Sequence, residues 1–454
     1  MHGSVRFALR SYPGESRYER NECTAPGNGF PDSSCVSWPD HLRKIFDVVD
    51  DRAADGSGPA AVHLERYARH ELGRERSRRH GHQPSEFDFA IAVALQGTQI
   101  LVAGGSVLGT QGVIALVRYN ADGSLDTSFG SGGIVRTAVP SVDAVGSAIA
   151  LQGTQILVAG STFDPSTGMT GIVLARYNPD GSLDTGFAGG PGFVSAPIGL
   201  GTDTDTVSLA LQGTNIVVAG ATRDGNFVLH RYDSSGTLDL NFGTNGTTTT
   251  NVGASAMSPG IALQSDGKIV AAGASGSFAS PPINAVLVRY SVDGALDTTF
   301  GNAGTGIVFT DIGSRNNFSN AVAVQLGDKI IVAGHAFVDL TANMSDIALL
   351  RYNADGTPDM GFGTNGAVVT DLGAFDNAFS VALQPTGEIL VSGSTGFGGV
   401  NRVALLRYTA GGVLDSSFGS GGVVTASAAG PSSIASGNVV ALLPGGSIVV
   451  AGYD

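Results

Sequence analysis

The chain has 454 residues, with 25 lysines and arginines against 39 aspartates and glutamates, a formal net charge of −14 and only two cysteines. An acidic body repels phosphate backbones and anionic lipid surfaces, so nucleic acid is not an expected partner. No run reaches the roughly 18 to 20 apolar residues of a membrane helix, and Cys23 and Cys35 fit neither a disulfide framework nor a metal-ligand spacing.

Charge divides the chain. Residues 1–85 hold 13 basic and 12 acidic side chains, whereas 86–454 hold 12 and 27; six of the eight histidines, both cysteines and the single tryptophan, Trp38, also precede residue 86. The first residues lack the basic, then apolar, then small pattern of a secretory signal. The leader, 1–85, is expected to lack a packed fold. Near its end LGRERSRRHGHQPSEF, from Leu72, sets Arg74, Arg76, Arg78 and Arg79 beside His80 and His82.

From residue 86 onward the sequence repeats. Arg-Tyr recurs at 118, 176, 231, 289, 351 and 407, each time inside one phrase, as in IALVRYNADGSLDTSFGSGGIVRT from Ile114. A second phrase precedes each copy, VALQGTQILVAG from Val93 in the first, and appears a seventh time at 440–452. The units span approximately 90–140, 147–200, 206–252, 258–312, 319–372, 379–427 and 438–454. Each holds short apolar runs separated by Gly, Asn and Asp, with no helical period. In chain order these predict four strands: VALQ (A), ILVAG (B), IALVRY (C) and GIVRT (D). Asp-Gly and Gly-Thr supply the tight turns between A and B and between C and D. The fold class is therefore all-β, a propeller of four-stranded antiparallel blades, six complete plus one half blade, seven intended. Closing the ring requires strands C and D from the N-terminal side.

The phrase RYxxDGxLDxxFGxxG after ALQxxGxIxVAG resembles the delta-60 repeat, a bacterial β-propeller repeat family of unknown function. That resemblance covers roughly 90–454. It implies the propeller fold and an extracellular or cell-surface setting, and it carries no catalytic residues.

Two readings of the basic stretch stand. One is a nucleic-acid-binding arm, disfavoured because charge runs are usually solvated tails. The other is translation out of frame. Residues 69–84, back-translated with permitted codons and read one nucleotide further along, yield TSLGANGVVVTDT, the pattern of GFGTNGAVVTD at 361–371.

Function is expected at the variable end of the blades. The B–C segments differ in every unit, as in GSVLGTQG (105–112), STFDPSTGMT (161–170) and HAFVDLTANMS (335–345), and binding residues ride on variable loops held by a rigid scaffold. The constant residues read as structure: Arg118, Arg176, Arg231, Arg289, Arg351 and Arg407 pairing with Asp126, Asp184, Asp239, Asp297, Asp359 and Asp415. Calcium held by Asp122 and Asp126 is the lesser alternative, because the position of Asp122 becomes Ser235 or Gly411 in other units. His230 reads as a satisfied core histidine. His335, opening its B–C loop with Asp339 nearby, is the weak binding or catalytic candidate. Strands A show no acid or histidine, and neither GxSxG nor HExxH occurs. The expectation is a scaffold rather than an enzyme, binding a protein or a glycan, without cofactor or metal, monomeric or associating through open strand edges. The rival is a propeller lyase or metal-dependent hydrolase acting at the central channel.

Overall fold

The computed structural model describes residues 47–49, 62–64 and 89–453, apart from 201–206, 223, 278–279, 302–303, 313–315, 340–343, 374, 398–399 and 428–435. All of these lie in one compact unit, Leu42–Asp454. The basic stretch that begins at Leu72, with the arm and frame readings attached to it, lies outside the described residues.

Six blades follow one another as A–B–C–D meanders. Blade 1 runs Phe89–Gln96, Gln99–Leu108, Gln111–Tyr119 and Ile134–Thr137. Blade 2 runs Asp143–Gln152, Gln155–Asp164, Met169–Tyr177 and Phe193–Leu200. Blade 3 runs Ser208–Gln212, Asn215–Ala221, Asn226–Tyr232 and Thr247–Asn251. Blade 4 runs Ala256–Leu263, Ile269–Ser277, Ser280–Tyr290 and Ile307–Thr310. Blade 5 runs Asn316–Val324, Ile330–Asp339, Met344–Tyr352 and Ala367–Thr370. Blade 6 runs Phe375–Leu383, Ile389–Phe397, Val400–Tyr408 and Val423–Ser427.

Blade 7 is composite. Ser436–Leu442 and Ile448–Tyr453 supply A and B, and two short strands from the other end of the chain, Asp47–Val49 and Val62–Leu64, take the places of C and D. Val48 pairs with Val449, and His63 with Val48. The A strands of neighbouring blades touch all the way round, including that of blade 7 against that of blade 1. The ring is closed.

Both faces of every blade pack against another blade, so strands B and C are almost continuously apolar instead of alternating. Between blades 5 and 6, for example, Ile331, Ala333, Ile347 and Leu349 meet Ala378, Ile389, Val391 and Leu406. No helix among the described residues is long and apolar enough to cross a membrane.

Two features differ from the sequence expectation. Strand A begins well before VALQ and carries a bulge, between Ala90 and Ala92 in blade 1, Ser319 and Ala321 in blade 5, and Ala378 and Ser380 in blade 6. The glycine of VAG exists for that bulge: a Cβ on Gly334 would sit 1.8 Å from the Phe318 carbonyl oxygen, and one on Gly393 1.8 Å from that of Asn377. The B–C segments, in turn, are mostly extended hairpin. Strands B and C stay paired out to Leu108↔Gln111 and Asp164↔Met169, because an antiparallel pair keeps satisfying its backbone groups until a tight turn reverses it.

Candidate functional site

The constant phrase forms a staple between blades. Arg118 holds Asp126 at 2.8 Å, lies 4.5 Å over the Phe129 ring, and donates to Gln96 Oε1 at 2.8 Å and to the Pro179 carbonyl oxygen of blade 2 at 2.5 Å. Gly130 N donates to the Asp180 carbonyl oxygen, and the Phe129 ring lies so close under Gly181 that a Cβ there would meet it at 2.9 Å. The arrangement recurs in Arg176–Asp184, Arg231–Asp239, Arg289–Asp297, Arg351–Asp359 and Arg407–Asp415, all at 2.7–2.9 Å. Asp126 is held below the ordinary carboxylate range by the Ser128 hydroxyl first and by Arg118 as well. Asp122 accepts from Ser124 N at 2.9 Å and from its hydroxyl at 2.6 Å. The carboxylates of the proposed calcium alternative are therefore engaged by donors of their own turns.

The opposite end, carrying the B–C and D–A connections, varies from blade to blade. His335 lies within strand B of blade 5 and does not open a loop, since that strand runs on to Asp339, whose backbone pairs with Met344. Its ring stacks on Phe318 at 4.7 Å, meets Phe337 edge-on at 5.7 Å, and stands with Nδ1 3.3 Å from Asn320 Nδ2. The residue is half-buried, yet its ring is enclosed by these neighbours, and burial pushes its pKa down to about 3. The imidazole is neutral, and its Nδ1 accepts from Asn320. Phe337 continues the aromatic row to Phe375 of blade 6, 5.7 Å away. His230 lies buried in strand C of blade 3, with Thr247 Oγ1 3.0 Å from Nδ1; burial lowers its pKa too.

Beside the aromatic row lies a group absent from the sequence reading. One carboxylate oxygen each of Asp346, Asp371 and Asp376 lie within 4.8 Å of one another, Asp346 and Asp376 buried and Asp371 exposed. Asp346 and Asp371 follow the last pair of the blade 5 C–D ladder, Ile347↔Thr370. Asp376 belongs to strand A of blade 6, and its Oδ2 accepts from Leu372 N at 2.7 Å. Gly373 N donates to Asp371 at 2.6 Å. Burial, then the charges of Asp371 and Asp376, raise the Asp346 pKa. The available signal was TDLGAFD at 370–376 facing Asp346 across a D–A connection, legible only once strand A is known to start at Phe375.

A separate groove of about 990 Å³ opens between the outer strands of blades 4 and 5, where Phe309, Thr310, Tyr352 and Val369 line it.

Six four-stranded antiparallel meanders and one composite four-stranded blade, closed into a ring through their A strands, make the molecule a β-propeller. Segments 99–129, 155–187, 264–300, 328–362 and 384–418, which lie in blades 1, 2, 4, 5 and 6, match the family model described as "Domain of unknown function (DUF5122) beta-propeller". No curated protein sequence matches the chain. Among solved structures it is similar to a polysaccharide lyase, an ulvan lyase, at 9% identity and TM-score 0.44, covering 71% of this chain and 81% of that one. It is similar as well to an endo-arabinanase from Bacillus licheniformis at 12% identity and TM-score 0.31, covering 65% and 94%. A third is the β-propeller domain of the trilobed protease from Pyrococcus furiosus, at 10% identity and TM-score 0.37, covering 74% and 93%. These likenesses show the fold alone.

The expectation that the chain is not an enzyme is corrected here. Its argument was that strands A carry no acid, but the full strands include Asp143 and Asp376. Nor does the absence of GxSxG and HExxH exclude catalysis, since those motifs mark only particular enzyme families.

Proposed function

We propose that this propeller binds a glycan, outside the cell or at its surface, on the B–C and D–A end where blades 5 and 6 meet. One observation carries the reading. Phe318, His335, Phe337 and Phe375 form a continuous aromatic row beside Asp346, Asp371 and Asp376, and neither group recurs in the repeat phrase. The other end of each blade is occupied by the staple, whose polar groups are committed to one another.

The chemistry suits a sugar. Phe318 and Phe375 are half-buried, and an aromatic face stacks against the C–H face of a pyranose. Ionised carboxylates are pure acceptors and suit hydroxyl donors. The extracellular setting rests on the resemblance of the repeats.

Binding of the full chain to a panel of immobilised neutral and basic polysaccharides tests the proposal. Wild type is expected to be retained on at least one, and Phe318→Ala/Phe375→Ala to be lost from it while keeping the wild-type circular dichroism spectrum. Retention of the double variant, or no binding to any member of the panel, overturns the reading.

A further inference from the structure

The trio Asp346, Asp371 and Asp376, which the glycan reading places beside the aromatic row, carries a second inference argued from its own geometry. Asp346 is only 8% exposed, and among the described residues its carboxylate has no hydrogen-bond donor and no cationic partner; it faces two further carboxylates. Asp376 accepts from Leu372 N and Asp371 from Gly373 N, so Asp346 is the carboxyl of the three left to a positive charge or a proton, and burying it without either is costly.

The same corner between blades 4 and 5 shows the relieved version. Counting back from the Arg-Tyr pair, Asn284 stands where blade 5 has Asp346; Asp311 corresponds to Asp371, and Asn317 to Asp376. There Asn317 Nδ2 donates to Asp311 Oδ1 at 3.3 Å. Asn284 and Asn317 stand in place of two carboxylates, and Asn317 gives the exposed Asp311 a hydrogen-bond donor. Between blades 5 and 6 that donor is missing, and the acids remain.

We infer that Asp346, Asp371 and Asp376 form a calcium site that pins the D–A connection of blade 5 to strand A of blade 6. The donor set is all oxygen, as a hard divalent cation requires, and three carboxylates can fill much of a shell of about 6 to 8 ligands. Ligand oxygens no more than 4.8 Å apart suit bonds of about 2.3–2.6 Å, which let two ligands on opposite sides of the ion stand about 5 Å apart. Magnesium, at about 2.1 Å in near-ideal octahedral geometry, fits a looser all-carboxylate corner less well. Asp376 follows Phe375 directly, so the ion fixes the strand end that presents the last ring of the aromatic row.

The test is calorimetric titration of calcium chloride into the full chain, stripped with EDTA, at pH 7.5, with thermal melts run alongside. One calcium per chain and a rise in Tm of several degrees are expected, with a response to magnesium at least tenfold weaker. Asp346→Asn removes a carboxylate but keeps the shape. It should melt at or above the wild-type temperature in EDTA and give neither heat nor a Tm shift with calcium. Glycan retention plays no part in this readout, so the two readings fail separately. No heat and no Tm shift for wild type at millimolar calcium overturns the site, leaving a shared proton as the way the acids coexist. A calcium response that survives Asp346→Asn overturns it equally.

Discussion

Asn438 Nδ2 donates to the carbonyl oxygen of Ala90, 3.1 Å away across 348 residues of sequence, and this bond joins the last blade to the first. Asn438 fills the bulge of strand A in blade 7, between Gly437 and Val439, and Ala90 precedes the bulge of blade 1. Asn320 makes the same contact within the array, from the blade 5 bulge to the Ala378 carbonyl oxygen at 2.7 Å. The bulge turns a side chain out of its own sheet to cap a carbonyl that the neighbouring blade has lost from its ladder. Asn438→Ala and Asn320→Ala should each cost about 1–2 kcal/mol in chemical denaturation, because each leaves a half-buried acceptor unmet. Should Asn438→Ala alone be silent, the ring is not held closed at this point.

The staple predicts an order of severity. In blade 1 the cation paired with Asp126 is Arg118, whereas in blade 5 Lys329 also reaches Asp359, at 2.5 Å, beside Arg351. Removing one partner of a buried pair costs about 3–5 kcal/mol, mainly through the charge left behind. Arg118→Leu should therefore lose about 3 kcal/mol or more, and Arg351→Leu clearly less, because Lys329 still answers the carboxylate. Adding Lys329→Met to Arg351→Leu should bring the loss up to that of blade 1. Equal midpoints for the two single variants would contradict the role given to Lys329.

The glycine of VAG, which is VSG in blade 6, has a different fate from the glycine of the A–B turn. A Cβ on Gly393 would lie 1.8 Å from the Asn377 carbonyl oxygen, so Gly393→Ala must push strand A away from strand B and disturb the bulge beside Asp376. Gly97 has φ +66° and open space around it, so Gly97→Ala should cost only the left-handed backbone penalty, about 1 kcal/mol. Circular dichroism melts should place the first variant several times further from wild type than the second.

Most of the ring was legible because the repeat states it six times. Arg118 through Arg407 and their aspartates recur at one spacing, and four apolar runs between turn residues leave little choice of fold. What the sequence hid lies where a blade departs from its own pattern. Strand A was read as VALQ because bulge and glycine break the alternation just upstream, and so Asp143 and Asp376 fell outside it. His335 was read as a loop residue because the variable segments resemble turns in composition, although their backbones stay paired. The acid trio draws on two blades, and no single repeat displays it.

The clasp of blade 7 is thin. Strand B of that blade, Ile448–Tyr453, is covered by a three-residue strand, Asp47–Val49, itself covered by Val62–Leu64. Deleting residues 1–64 should uncover the edge of Ile448–Tyr453, and an open, apolar strand edge invites pairing with another chain. Light scattering after size exclusion is expected to show the truncated chain as dimers or larger, against a smaller species for the full chain. A truncated chain that stays at the size of the full one would mean the edge is protected without the clasp.

Acid should weaken the fold before any paired carboxylate titrates. His335, at about 3, and His230, also lowered, are both held neutral by burial, whereas in the unfolded chain a histidine titrates near about 6.5. A group whose folded pKa is depressed in this way lets the unfolded state bind the proton first. Its contribution is complete above about pH 6.5 and is lost as pH falls toward the folded value, at up to about 1.4 kcal/mol per pH unit for each such histidine. Asp126 and the other aspartates lowered from 3.8 add their loss only below about pH 4. Asp346, raised, works the other way and gains as it protonates. Denaturation midpoints between pH 7 and 4.5 should therefore fall for wild type and fall less steeply for His335→Phe, which keeps the stack on Phe318 without the titrating ring. Identical slopes for the two proteins would show that His335 is free to protonate in the folded ring.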